Sequence, residues 1–187
     1  MAAHRSLKPS YPSAGGSLGS SPRGGVYSER SFMEIYTSYF YQVRNMRPHM
    51  IPLSTAVWPP KWFHKNGHCF VDKNGVLNGA ACSWLRPGES CDGLCRGRNE
   101  CKQEGPRSCE FLKVYRKQLD KLDFQTFIQK LEQLGGKAKE MLGFEEEPVI
   151  ILMFHEKYDN PCSEREVVKQ WFKDNGIELK EFNAEIT

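Results

Sequence analysis

The chain has 187 residues and a net charge of +3, and it contains 4 Trp, 7 Tyr and 11 Phe. This length suits one domain with a substantial hydrophobic core and some excess chain. No apolar run approaches the roughly 20 residues that a membrane-spanning helix needs, and the N-terminus lacks the basic-then-apolar pattern of a signal peptide. The composition argues against a membrane-spanning or secreted protein, and we expect a cytoplasmic protein with no membrane partner.

The charge is unevenly distributed. Residues 1–32 carry four Lys or Arg and one Glu, whereas the other 155 residues carry 22 charges of each sign. Residues 33–117 carry 13 basic and 7 acidic residues, and residues 140–187 carry 5 and 12. A basic surface attracts phosphates, which favours a nucleotide or nucleic-acid partner. A solvated surface with uneven charge is the alternative.

Residues 1–32 are rich in Gly, Ser, Pro and Arg and have no apolar periodicity. Such a composition cannot offset the entropy of ordering, so we predict a disordered tail, either a natural extension or sequence added by cloning. Residues 33–187 are predicted to form a single α/β domain.

Four stretches rich in β-branched, aromatic or apolar residues predict strands at Glu34–Phe40, Met50–Val57, Pro148–Phe154 and Ile177–Phe182. The second is expected to end at Trp58-Pro59-Pro60, because proline cannot donate to a ladder. The third is apolar on both faces, as a central parallel strand is. Asn74-Gly75 lies between two short apolar runs, which predicts a β-hairpin insertion.

Apolar residues at three-and-four spacing predict helices at Glu110–Leu122, Phe124–Leu134 and Glu164–Asn175. Asp123 has the position of an N-cap for the second helix, and Gly135-Gly136 is predicted to end it. Strands separated by helices indicate a layered α/β fold with a mostly parallel sheet.

Residues 82–109 form a cysteine-rich loop with the spacing Cys91-x3-Cys95-x5-Cys101-x7-Cys109. The segment is rich in Gly and Pro and poor in apolar residues, so it has no core of its own. Four thiolates around one zinc ion would stabilise it and form a structural site, because no open coordination position remains. An iron–sulfur cluster uses the same ligands. Unpaired reduced thiols are the third alternative.

The predicted central strand runs directly into a polar loop and then a helix. Ligands of open α/β sheets bind beyond the carboxyl ends of the strands, where this loop lies. Ser163 and Glu166 form the pattern of a capping box, and the first-turn amides with Arg165 are predicted to bind a phosphate. Capping alone also explains Ser163, and Arg165 could instead pair with a carboxylate. The predicted catalytic residues are His155, Glu156 and Cys162, of which Cys162 could instead be a small buried residue.

A second group combines aromatic and basic residues. Trp62 and Trp84 are the preferred candidates for stacking a base, with Lys61 and Tyr39 as further ligand-binding residues. The alternative is that these aromatic residues belong to the core.

Five segments together resemble a known family. They are Tyr-Thr-Ser-Tyr-Phe from Tyr36, Ile-Pro-Leu-Ser from Ile51, Pro-Pro-Lys-Trp ending at Trp62, Phe-His-Glu-Lys ending at Lys157, and Pro-Cys-Ser-Glu-Arg ending at Arg165. Over most of 33–182 the chain resembles the uncharacterised bacterial and phage family catalogued as domain of unknown function 488.

The resemblance implies a small Rossmann-like α/β domain and places Glu156, Cys162 and Arg165 at the family's functional positions. Family members often have Cys-His-Arg where this chain has Cys162-Ser163-Glu164-Arg165, so an acid–base histidine is missing here. The cysteine-rich segment looks like an elaboration of a subgroup.

We therefore expect a nucleotide- or nucleic-acid-directed protein, in particular a hydrolase acting at a base or glycosidic bond with Glu156 as general base. Two alternatives stay open. One is a noncatalytic metal-stabilised module that presents Arg96, Arg98 and Arg107 to nucleic acid or a protein. The other is a redox protein that uses Cys162 or an iron–sulfur centre.

Overall fold

The computed structural model describes residues 33–95 and 105–183. Its six strands are β1 (Ile35–Tyr39), β2 (Met50–Ser54), β3 (Phe70–Val71), β4 (Leu77–Asn78), β5 (Val149–Phe154) and β6 (Lys180–Glu181). The α-helices within these described residues are α1 (Glu110–Leu119), α2 (Phe124–Leu142) and α3 (Glu164–Asp174). The predicted tail, residues 1–32, lies outside the described residues.

The main sheet has four strands in the order β2-β5-β1-β6, and every neighbouring pair is parallel. The central position of β5 follows from its apolar sequence. Ile150 and Leu152 belong to one buried cluster, and Ile151 and Met153 belong to another. Since side chains alternate along a strand, both faces of β5 are buried, which confirms the predicted central parallel strand.

All three described helices contribute to the same apolar cluster, which packs on the face of β5 that carries Ile150 and Leu152. The opposite face is covered by short 3-10 segments at Phe40–Asn45 and Lys61–Phe63 and by the hairpin residue Val76. The described architecture is therefore an α/β fold with helices on one face. None of the described helices has the length and apolar character needed to cross a membrane.

The predicted hairpin is confirmed, since β3 and β4 pair antiparallel. Asp72 accepts hydrogen bonds from the backbone N–H groups of Asn74 (2.8 Å) and Val76 (3.1 Å), which closes the turn. Gly75 adopts a φ of 79°, a conformation that side chains disfavour.

The predicted end of the second helix is wrong. Asp123 caps its start as expected, by accepting from the Thr126 N–H at 2.8 Å, but the helix continues through Gly135 to Leu142. An added Cβ at Gly135 would lie 3.0 Å from the Met33 sulfur, so the glycine permits close packing. The left-handed Gly143, with a φ of 69°, ends the helix instead.

The predicted second strand is also too long, because β2 ends at Ser54 rather than Val57. Beyond Thr55, which still donates to the Met153 carbonyl, the chain reaches the surface at Val57 and Trp58.

Candidate functional site

A cavity of about 280 Å³ lies where β2 and β5 end. The segment after β2, the chain after β5, the cysteine loop and α1 enclose it. Its polar wall includes His155, Asp92 and Glu164, and its apolar wall includes Trp58, Phe111 and Phe154. This position is the one at which α/β sheets bind ligands.

Glu164, the first residue of α3, lines this cavity and has a carboxyl of raised pKa. Burial is the larger cause that raises the pKa of its carboxyl, and the nearby charge of Glu156 raises it further. A carboxyl shifted toward the protonated form is suited to donate a proton, which is what a general acid does.

His155 follows β5 directly and also lines the cavity. Its Nε2 lies 2.7 Å from the carbonyl oxygen of Trp58, and its ring lies 5.2 Å from the Phe40 ring. A carbonyl oxygen only accepts, so Nε2 carries the proton of this bond. In the neutral ring Nδ1 is then the atom that accepts a proton.

Ser163 joins Glu156 to the start of α3. Its hydroxyl donates to Oε2 of Glu156 at 3.3 Å and accepts from the backbone N–H of Arg165 at 3.2 Å. The second bond confirms Ser163 as an N-cap. Glu166 does not reach back in the described contacts; its N–H donates to the Ser163 carbonyl and its carboxylate lies 3.8 Å from Lys169. Ser163 is fully buried, so its predicted contact with a ligand stays a prediction.

Arg165 is buried to 1% exposure and binds other parts of the protein. Its Nη2 donates to the carbonyl oxygens of Ser38 and Glu156, and its Nε lies 3.6 Å from Oε1 of Glu181. Arg165 therefore ties the ends of β1, β5 and β6 together. The predicted pairing with a carboxylate is confirmed, and the predicted phosphate contact stays a prediction.

Removing the Arg165–Glu181 pair from water costs free energy. Burial lowers the pKa of Arg165 and raises the pKa of Glu181, in each case as the largest cause. Both shifts favour the neutral forms, so the loss of hydration outweighs the attraction between the two charges.

The predicted ligand-binding aromatic residues lie in different surroundings. Trp62 is 54% exposed, with its ring edge-on to Phe40 at 6.3 Å, and the neighbouring Lys61 is exposed. Trp84 is half-buried against Phe127 of α2, and Tyr39 is buried and accepts a hydrogen bond from Gln42. Of the four, Lys61 and Trp62 are therefore the two that stand at the surface.

The third predicted catalytic residue, Cys162, is half-buried in the turn before α3. Its backbone N–H donates to Oδ1 of Asn160 at 3.1 Å, which helps to shape that turn. A reactive thiol at this position stays a prediction.

Three of the four predicted metal-binding cysteines belong to the described part of the chain. Cys91 is buried, Cys95 is exposed and Cys109 is intermediate, while Cys101 lies outside the described residues. Within 33–95 and 105–183, no three His, Cys, Asp or Glu side chains are grouped to hold a metal. Burial raises the pKa of the Cys91 thiol, and its sulfur lies 3.9 Å from Oε1 of Gln118. The described cysteines thus do not by themselves form the site, and the zinc or iron–sulfur centre stays a prediction.

Sequence reasoning missed Glu164 as a site residue, and it preferred Trp62 and Trp84 to Trp58. An acidic residue in the first turn of a helix is common because it complements the helix dipole, so the sequence gives Glu164 no special status. Glu164 shares the cavity wall with Asp92 of the cysteine loop and Phe111 of α1, which are distant in sequence. Trp58 belongs to the same aromatic and basic stretch of sequence as Lys61 and Trp62, and the two prolines that follow it directly keep it out of a strand.

Comparisons of the chain with protein-family models, with curated proteins and with solved structures found no match. The family resemblance therefore continues to rest on the segments quoted above and stays a prediction.

Proposed function

We propose that this protein is a hydrolase that breaks the bond between base and sugar in a nucleotide or nucleic acid. The observation that carries the proposal is Glu164, a carboxyl of raised pKa in a cavity with aromatic walls. The volume of about 280 Å³ is at the low end for ligand pockets, which suits one base and its sugar.

The reaction needs one acid and one base. Glu164 donates its proton to the leaving nitrogen of the base while the C1′–N bond breaks. A water molecule forms the new bond to C1′, and Nδ1 of His155 takes the proton that the water loses. The products are the free base and a sugar with a hydroxyl at C1′, so atoms and charges balance.

Glu156 has a positioning role in this scheme instead of the role of general base expected from the sequence. Its half-buried carboxylate is held by the Ser163 hydroxyl, and after the larger effect of burial its charge further raises the pKa of Glu164. The aromatic side chains of Trp58 and Phe111 in the cavity wall offer faces on which a base can stack.

The finer predictions from the sequence are part of the same proposal. We retain a Rossmann-like arrangement of the sheet, a structural zinc ion on Cys91, Cys95, Cys101 and Cys109, and a cytoplasmic location. In this scheme the zinc ion would stabilise the loop that carries Asp92 into the cavity wall, and it takes no part in the reaction.

The direct test is release of free base from nucleosides, nucleotides and short oligonucleotides, measured by chromatography. Glu164→Gln cannot donate a proton, so we expect a loss of about 100-fold or more in kcat with substrate binding retained. Glu166→Gln is the matched control, because Glu166 is an exposed carboxylate on the same helix. Full activity of Glu164→Gln, or no base release by the wild type from any of these substrates, would contradict the proposal.

A second test concerns Glu156. Glu156→Gln removes the charge that raises the pKa of Glu164, so the basic limb of the pH–rate profile should move to lower pH. If Glu156 were instead the base that activates water, kcat would collapse at every pH.

A further inference from the structure

Four large aromatic side chains are exposed beyond the carboxyl ends of the strands, Tyr158 after β5 at 46% and three others after β1 and β2. Tyr41, Trp58 and Trp62 are 57%, 83% and 54% exposed. Tyr41 follows β1, and the two tryptophans follow β2, so all three lie on connections that leave the same edge of the parallel sheet. We call these three residues the aromatic strip.

The aromatic strip is joined to the cavity through Phe40, which is buried. The Phe40 ring lies 6.3 Å from the Trp62 ring and 5.2 Å from the His155 ring. His155 in turn donates to the Trp58 carbonyl at 2.7 Å, and both His155 and Trp58 line the cavity. One packed group of rings therefore connects the exposed surface to the proposed acid–base site.

The chain segment that carries the aromatic strip is cationic. Residues 35–71 contain no Asp or Glu, and they contain four cationic residues, Arg44, Arg47, Lys61 and Lys65. All four are exposed. The guanidinium carbon of Arg44 lies 3.6 Å from the centre of the Tyr41 ring, so a cation is stacked on one member of the strip. These exposed cations are complementary to a polyanion, and the carboxyl groups of Asp92 and Glu164 lie with Trp58 in the cavity wall.

We infer that the aromatic strip binds single-stranded nucleic acid and delivers one unpaired base to the cavity. Exposed rings stack unpaired bases of any sequence, while neighbouring cations hold the phosphates. A duplex keeps its bases stacked inside, and a free nucleotide can occupy only the cavity. An enzyme that breaks a bond to a base needs that base outside the stack, which a single strand provides at the least energetic cost. The inference rests on the proposed function and names its substrate class.

The experiment measures binding separately from turnover. A fluorescently labelled single-stranded oligonucleotide of mixed sequence is titrated with Glu164→Gln protein, so that no base is released. Fluorescence anisotropy is recorded for the single strand, for the same sequence as a duplex, and for the mononucleotide. We expect the single strand to bind best.

Substitutions in the strip identify the surface. Trp58→Ala and Trp62→Ala, added to Glu164→Gln, should each weaken single-strand binding on the order of tenfold, because each removes one stacking ring. Lys61→Glu should weaken binding and reduce its salt dependence, because a phosphate contact is lost. Met141→Ala and Lys121→Glu are the matched controls, since both residues are exposed on other parts of the chain and should leave binding unchanged.

The outcomes separate the two proposals. Single-strand binding that is weakened by the strip variants and not by the controls supports the inference, whether or not wild-type protein releases a base. Preference for the duplex, or binding that the strip variants leave unchanged, overturns it. Base release from mononucleotides without oligonucleotide binding overturns the inference alone, and strip-dependent binding without any base release overturns the proposed function alone.

Discussion

Replacing Arg165 tests whether a buried cation holds the carboxyl edge of the sheet together. Arg165→Met removes the donor to the carbonyl oxygens of Ser38 and Glu156 and leaves the half-buried carboxylate of Glu181 without its guanidinium partner. Removing one partner of a buried pair costs about 3 to 5 kcal/mol. A domain of this size has a free energy of unfolding of about 5 to 15 kcal/mol, so the loss is a large share of its stability.

Urea denaturation followed by far-ultraviolet circular dichroism measures this loss. Adding Glu181→Gln to Arg165→Met should recover at least about 1 kcal/mol, because the uncompensated charge disappears. Lys173→Met is the control on the same helix, because Lys173 is exposed and its replacement should change the free energy of unfolding by no more than about 0.5 kcal/mol. A loss below about 1 kcal/mol for Arg165→Met, or a double variant no more stable than the single one, would refute the reasoning.

Three further predictions concern other parts of the chain. Gly136→Ala should raise the free energy of unfolding by about 1 kcal/mol, because the added Cβ meets nothing within 4 Å. Gly135→Ala should lose this gain, because its Cβ would lie 3.0 Å from the Met33 sulfur and 3.2 Å from Pro148. Urea denaturation of the two variants compares these effects. Glu164 binds its proton more tightly in the folded than in the unfolded protein, so native stability falls as pH rises from the unfolded pKa of this carboxyl through its folded pKa. Glu164→Gln should therefore be more stable than the wild type at neutral pH, and thermal denaturation from pH 4 to pH 8 measures the difference. If the cysteine loop holds zinc, elemental analysis should find about one ion per chain, and Cys95→Ser with Cys109→Ser should remove it.

The central strand and the hairpin could be predicted from the sequence, because the residue patterns that specify them lie within short segments. The apolar run of β5 identifies a strand buried on both faces, and the hairpin follows from Asn74-Gly75. Several boundaries were wrong, including the end of α1 at Leu119 instead of Leu122 and the start of β6 at Lys180 instead of Ile177, and two others have reasons that the sequence does not contain. Gly135 lies inside a helix because other segments pack closely on it, and β2 is short because the chain leaves the sheet after Thr55.

The candidate site was predicted only in part. The loop after β5 was identified from a general rule about parallel sheets, and His155 does line the cavity. Arg165 and Glu164 show the limit of that rule, because it cannot tell which side chain turns inward. The cation proved to be buried and bonded to strand ends, while the carboxyl beside it lines the cavity. The surroundings of Glu164 include the cysteine loop and α1, which are distant in sequence, so no local pattern encodes them.

The buried arginine and the proposed acid are parts of one arrangement. Arg165 binds the backbone oxygen of Glu156, and Ser163 binds the carboxylate of the same residue. These two bonds fix Glu156 beside the first turn of α3, where its charge raises the pKa of Glu164. A neutral side chain at position 165 could fill the space, but it could not donate to the Glu156 carbonyl. The charge of Arg165 itself lowers the pKa of Glu164, so Arg165→Met should raise the pKa of that carboxyl while it lowers the stability of the fold.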